Sequence, residues 1–133
     1  MVSSTKKFGP DPVSISPLNT YDPKAVERAL EKVLEPLGGI QNFVTPNEPV
    51  VLKPNFLSPR TADKAVCTHP EIIRAVAKLV KKSGTKEIIV TDSSGVGSAT
   101  LCAKRLGIDK DPLFDIENTG EALNVATKGA NFH

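Results

Sequence analysis

Lys53 and Asn55 flank Pro54 directly after the apolar run Val50-Val51-Leu52. An ammonium and an amide at the end of a strand can neutralise and hydrogen-bond a small anion. A second apolar run, Ile88-Ile89-Val90, leads through Thr91 into Asp92-Ser93-Ser94-Gly95-Val96-Gly97-Ser98. A carboxylate at Asp92 can serve as a general base, or as one ligand of a hard ion such as Mg²⁺ that also holds a phosphate. Backbone N–H groups between Ser94 and Gly97, at the start of a helix, favour anions. Plainer roles exist for the same residues. Lys53 can snorkel off a sheet edge, Asn55 can cap a turn, and the second segment can be a helix N-cap with a glycine turn.

Gly95, Gly97 and Thr100 occupy the spacing of a dinucleotide fingerprint, with Asp115 and Glu117 near the offset of its acidic residue. The third position is Thr where Gly or Ala lets helix and strand pack closely, and no clear strand leads to the acids. Phosphate or carboxylate binding is therefore the broader reading of this turn. Cys67 and His69 are reserve candidates for acid–base work. A zinc site would need further ligands, and nothing in the sequence brings Cys102 or His133 near them. His69 before Pro70 equally suits a helix cap. Arg60, Asp63 and Lys64, in the long connection before Cys67, can close over a ligand or stand as solvated charges. No nucleophile elbow, P-loop or paired-carboxylate signature is present.

The elements that position these groups follow from pattern. Val50-Val51-Leu52 reads as a strand buried on both faces, and Pro54, which cannot donate to a ladder, ends it. Lys86 to Thr91 reads as a parallel neighbour. Asp22 and Pro23 suit the cap and first position of a helix. Ala25, Val26, Ala29, Leu30, Val33, Leu34 and Leu37 make its apolar face before Gly38-Gly39 ends it. Thr68-His69-Pro70-Glu71 opens a second helix, with Ile72, Ile73, Val76, Ala77, Leu79 and Val80 on its inner side and Gly84 beyond its end. Ala99 to Leu106 reads as a short third helix stopped by Gly107. Val13 to Ser16 is a weak first strand, and Ala122 to Ala126 a fourth strand or a helical turn. The order predicts an α/β fold: three layers around a mostly parallel sheet with Rossmann-like right-handed crossovers.

The 133 residues suffice for one domain with a core. Residues 1–12 read as a flexible lead-in and 13–133 as a single α/β domain, the N-terminal part of a longer one if the end at His133 is open. A net charge of +2, with basic residues interspersed among acids, and only six aromatic Phe and Tyr residues argue against a nucleic-acid partner. No apolar run reaches the roughly 18 residues of a transmembrane helix, and the N-terminus lacks a secretory pattern. Two cysteines fit a cytoplasmic protein with reduced thiols. They are too few for a four-cysteine iron–sulfur cluster from this chain alone.

Val51-Leu52-Lys53-Pro54-Asn55, Thr68-His69-Pro70-Glu71-Ile72-Ile73-Arg74-Ala75 and Lys86 to Gly95 together resemble one uncharacterised family, number three-six-two among the domains of unknown function. That family shows a Lys-Pro-Asn strand end, a Thr-x-Pro-Glu helix start and a Gly-Asp-Ser-Pro-Gly-like turn. Ser94 stands where the family usually has proline and Thr91 where it often has glycine. The resemblance implies that Lys53, Asn55, Asp92, Ser93 and Gly95 matter. It also implies a longer domain, often attached to ferredoxin-like iron–sulfur modules that this chain lacks.

The expected function is binding of a small anionic ligand, phosphorylated or not, at the strand carboxyl ends, in an enzyme-type domain. Lys53, Asn55, Ser93, Ser94, Gly95 and Gly97 would bind, and Asp92, Cys67 and His69 would do chemistry. The alternative is a non-catalytic accessory domain of a redox-linked assembly, with a protein partner or a second copy of the chain.

Overall fold

The computed structural model describes residues 12–119. Helix α1 (Pro23–Leu34) begins as its sequence dictates: the Asp22 carboxylate accepts from the Ala25 N–H at 3.0 Å, and Pro23 loses nothing by lacking a donor in the first turn. A single 3₁₀ turn (Glu35–Leu37) follows. Gly38, at φ 93°, then closes the helix in the left-handed region. Strand β1 (Pro49–Leu52) leads by a long loop to helix α2 (Pro70–Lys82), capped by the His69 ring, which accepts from the Glu71 N–H at 3.2 Å. Strand β2 (Glu87–Val90), helix α3 (Ala99–Leu106) and a two-residue strand β3 (Asp115–Ile116) complete the described chain.

The sheet order is β1-β2-β3, both pairs parallel, with Val50 beside Ile88, Leu52 beside Val90, and Val90 beside Ile116. Each pair is joined through a helix, so the chain is two βαβ units in succession. Side chains alternate between the faces of a strand. Ile88 and Val90 share a core with Ile73, Ala77 and Val80 of α2 and with Ala99, Cys102, Ala103 and Leu106 of α3. Both crossover helices therefore cover one face, and with strands laid down in one direction the two crossovers have the same hand. The α/β class is the one read from the pattern; of the three layers expected, the described residues lay out the sheet and this helical face, with α1 packed on α2.

Three expectations change. Val13 to Ser16 forms no strand: Val13 and Ile15 are each 84% exposed. Two apolar residues in a segment bracketed by prolines bury too little to hold a ladder. Strand β1 is not buried on both faces. Among the described residues it is the edge of the sheet and half-buried throughout, while β2 is central, with Ile88, Ile89 and Val90 closed off from solvent. Finally, a strand does lead to the acidic residues: Asp115 and Ile116 pair with Ile89 and Val90. Two residues give no alternation to detect. The segment Ala122 to Ala126 lies outside the described residues. No described helix is long and apolar enough to cross a membrane.

Candidate functional site at the carboxyl ends of the strands

Parallel pairing of β1 and β2 puts Lys53 and Asp92 side by side, one residue past β1 and two past β2. The Lys53 ammonium lies 2.6 Å from Asp92 Oδ1. The other carboxylate oxygen accepts from the Phe56 N–H at 2.8 Å. Asp92 is 6% exposed and Lys53 is 70% exposed. Burial would by itself raise the Asp92 carboxyl, but the Lys53 ammonium and the Phe56 and Ser93 N–H groups outweigh it and hold the carboxyl below its usual value. Asp92 is thus an anion at neutral pH whose two oxygens are both engaged, and the cation facing it looks out to solvent.

The loop between β1 and α2 is built onto this pair. Phe56, fully buried, makes an antiparallel bridge with Cys67. Asn55 and Thr68 clasp at the base: Thr68 N–H donates to the Asn55 carbonyl and Asn55 N–H to the Thr68 hydroxyl, both at 2.9 Å. The Asn55 amide donates to the Val66 carbonyl at 3.3 Å. The loop then lies on the turn after β2. Val96 N–H donates to the Leu57 carbonyl at 3.1 Å, and the Ser94 hydroxyl contacts that same oxygen at 3.4 Å. A Cβ on Gly95 would stand 3.3 Å from the Leu57 oxygen, and one on Gly97, at φ 82°, 3.4 Å from Pro59. The space that a dinucleotide fingerprint reserves for a pyrophosphate is here taken by Leu57 to Pro59. Ser98, not Ser94, caps α3, accepting from the Leu101 N–H at 3.3 Å.

The predicted residues thus separate into groups. Lys53 and Asp92 come together, with the exposed Ser93 next in the chain. Asn55, Ser94, Gly95 and Gly97 hold the loop against the turn. His69 caps α2 and stacks on Tyr21, ring centroids 3.5 Å apart. Cys67 donates to the Ser58 carbonyl at 3.2 Å. Sequence reasoning missed Phe56, whose N–H steadies Asp92, and Thr91, a 5% exposed residue whose hydroxyl finds no hydrogen-bond partner. A lone aromatic after Pro-Asn was the available signal for Phe56; Thr91 looked like the last residue of a strand. Among the described residues no three His, Cys, Asp or Glu side chains gather to hold a metal. Asp92 fits Mg²⁺ poorly, since an ion would have to displace Lys53 from Oδ1 and the Phe56 N–H holds the other oxygen.

Beside Lys53, along the edge of β1, lies a cleft of 240 Å³ between Leu52, Pro54, Thr68, Ile72 and Val76. A larger concavity of 680 Å³ lies between the end of α1 and α2, walled by Arg28, Lys32, Gly39 and Leu79, and none of the predicted site residues lines it.

A 95-residue stretch is 39% identical to the thylakoid-associated protein sll1697 of Synechocystis sp. (strain ATCC 27184 / PCC 6803 / Kazusa). The match covers 71% of this chain and 29% of that relative, so the chain spans under a third of the curated protein's length. No solved structure matches it. The family model described as Domain of unknown function (DUF362) matches residues 50–113, which run from β1 through the rim and α3 to the approach of β3. The match to that family therefore takes in the strand ends and the loop.

Proposed function

We propose that the rim binds a small anionic ligand through its phosphate or carboxylate group, and that Lys53 is the cation that meets it. One observation carries this reading: a solvent-facing ammonium is fixed at the carboxyl end of a parallel strand by a buried carboxylate. A lysine with no task there would lie loose in water, and an aspartate with no task would not be buried. Asp92 positions Lys53; with both oxygens engaged and its carboxyl held low, it is a poor general base. The ligand shares the ammonium with Asp92 and takes further hydrogen bonds from Ser93. The adjoining cleft has room for a short apolar body, which favours a small acid over a dinucleotide.

A cytoplasmic setting goes with this reading, since two free thiols are the norm there. The relative's length favours a second reading. This chain would then be an accessory domain of a larger, redox-linked assembly of the kind the iron–sulfur association implies, and would dock on a protein partner. The relative's name ties that protein to thylakoids, which agrees with either reading.

The test is a thermal-melt panel of inorganic phosphate, nucleotides and short carboxylic acids on wild type and Lys53→Ala. A ligand at about a hundred times its dissociation constant adds about 2.7 kcal/mol, which raises the midpoint of a domain this size by several degrees. The expected result is a rise with at least one anion in wild type and none in Lys53→Ala. A cooperative melt that no anion moves would favour the accessory domain.

A further inference from the structure

Cys67 and Cys102 belong to different elements, the foot of the loop and the middle of α3, yet they face the same patch. The bridge between Phe56 and Cys67 carries the first thiol inward, where it packs on the core cluster that contains Cys102. The Ser94 hydroxyl lies 3.5 Å from the Cys102 sulfur and 3.4 Å from the Leu57 carbonyl, while the Cys67 thiol donates to the neighbouring Ser58 carbonyl. Cys67 lies close enough to add to the upward push that burial gives the Cys102 thiol. They differ in access: Cys102 is fully buried and Cys67 half-buried, and both are reduced. One thiol open to a reagent beside another that only its neighbour can reach is the arrangement of an attacking and a resolving cysteine.

We propose that Cys67 and Cys102 form an oxidisable pair, in which a small disulfide oxidant reacts first at Cys67 and Cys102 then closes an intramolecular disulfide that fastens the rim loop to α3. In the first step the Cys67 thiolate attacks one sulfur of glutathione disulfide. The Cys67–glutathione bond forms, the glutathione disulfide bond breaks, and one glutathione thiolate leaves. In the second the Cys102 thiolate attacks Cys67 Sγ and expels the other glutathione thiolate. Two thiols are oxidised and one glutathione disulfide is reduced to two glutathiones; the two thiol protons go to the leaving thiolates. Burial pushes the Cys102 thiol up, its contact with Ser94 opposes this, and Cys67 and Asp92 push it up further. The closing step therefore speeds up as pH rises through the alkaline range. The disulfide replaces the Cys67 bond to Ser58 and draws on the thiol that Ser94 touches, so it bears on how the loop lies over the rim.

The experiment treats the purified protein with glutathione disulfide and maps it by intact mass and peptide mass spectrometry. Expected is loss of two hydrogens, with one cross-linked peptide pair joining Cys67 to Cys102. Tryptic cleavage after Arg60 and Lys64, both exposed in the loop, should slow in the oxidised form. Cys102→Ala should stop at the Cys67–glutathione adduct, and Cys67→Ser should take up no glutathione. The wild-type map decides even if Cys102→Ala fails to fold. A stable Cys67 adduct in wild type, a disulfide between two copies of the chain, or thiols that resist the reagent in the folded protein would each overturn the proposal.

Discussion

Strands β1 and β2 are joined beyond both of their ends, and the two ends are built differently. At the amino end the links are neutral. Asn47 N–H donates to the Gly84 carbonyl at 2.8 Å, Lys86 N–H donates to the Glu48 carbonyl at 3.3 Å, and the buried Thr85 hydroxyl donates to that same oxygen. At the carboxyl end one backbone bond, Thr91 N–H to the Leu52 carbonyl at 3.0 Å, is followed by a charged pair and a buried carboxylate. Neutral bonds suffice to hold two strands together. Burying an aspartate to do the same is costly and stabilises little unless the charge has another use. The difference supports the proposed site at the carboxyl end, where open parallel sheets also place their ligands.

Substitutions at the two ends sharpen this contrast. The largest loss is expected from Phe56→Ala, which empties a fully buried site under the rim and should lower stability by about 3–5 kcal/mol. Chemical denaturation would measure it. Asp92→Ala leaves the Phe56 N–H without its acceptor and should lower stability by about 1–3 kcal/mol; the same variant should loosen the loop, seen as faster amide exchange between Phe56 and Cys67. Thr85→Val, at the amino end, should lower stability by about 1 kcal/mol and leave anion binding untouched. Lys53→Met should change stability by no more than about 1 kcal/mol, because the ammonium is exposed, yet abolish anion binding. Loss of binding without loss of stability at Lys53, and loss of stability without loss of binding at Thr85, is what the contrast requires.

The pH dependence follows from the same pair. The Asp92 carboxyl is held below its ordinary value in the folded protein, so its stabilisation is present above the ordinary carboxyl range and is lost as pH falls through the folded-state pKa. The stability gap between wild type and Asp92→Asn should be constant from neutral pH down to about 4 and should close in stronger acid. Denaturation curves at stepped pH would check this. A gap that opened near pH 7 would mean that some other group titrates there.

Much of this arrangement was legible in the residues. Asp22-Pro23 and His69-Pro70 carry their own cap chemistry, and Val50 to Leu52 and Glu87 to Val90 are apolar runs with a breaker or polar turn behind them. The convergence of Lys53 and Asp92 followed from the two strands being parallel. What could not be read was long-range. That Asn55, Ser94, Gly95 and Gly97 are engaged with the loop depends on Phe56 plunging into the core, a tertiary fact without a local pattern. The edge position of β1 depends on which strand pairs with β2 next, and β3 is too short to announce itself. Cys67 reaches the core cluster that holds Cys102 only because the loop folds back.

The most direct test is a titration of the isotopically labelled protein with inorganic phosphate, followed by amide chemical shifts in wild type and Lys53→Met. Saturable shifts confined to Lys53, Ser93 and their neighbours, lost in Lys53→Met while the rest of the spectrum is unchanged, are the predicted result. Phosphate shifts of equal size in Lys53→Met, or a titration that moves no rim amide, would contradict the assignment of the rim as an anion site.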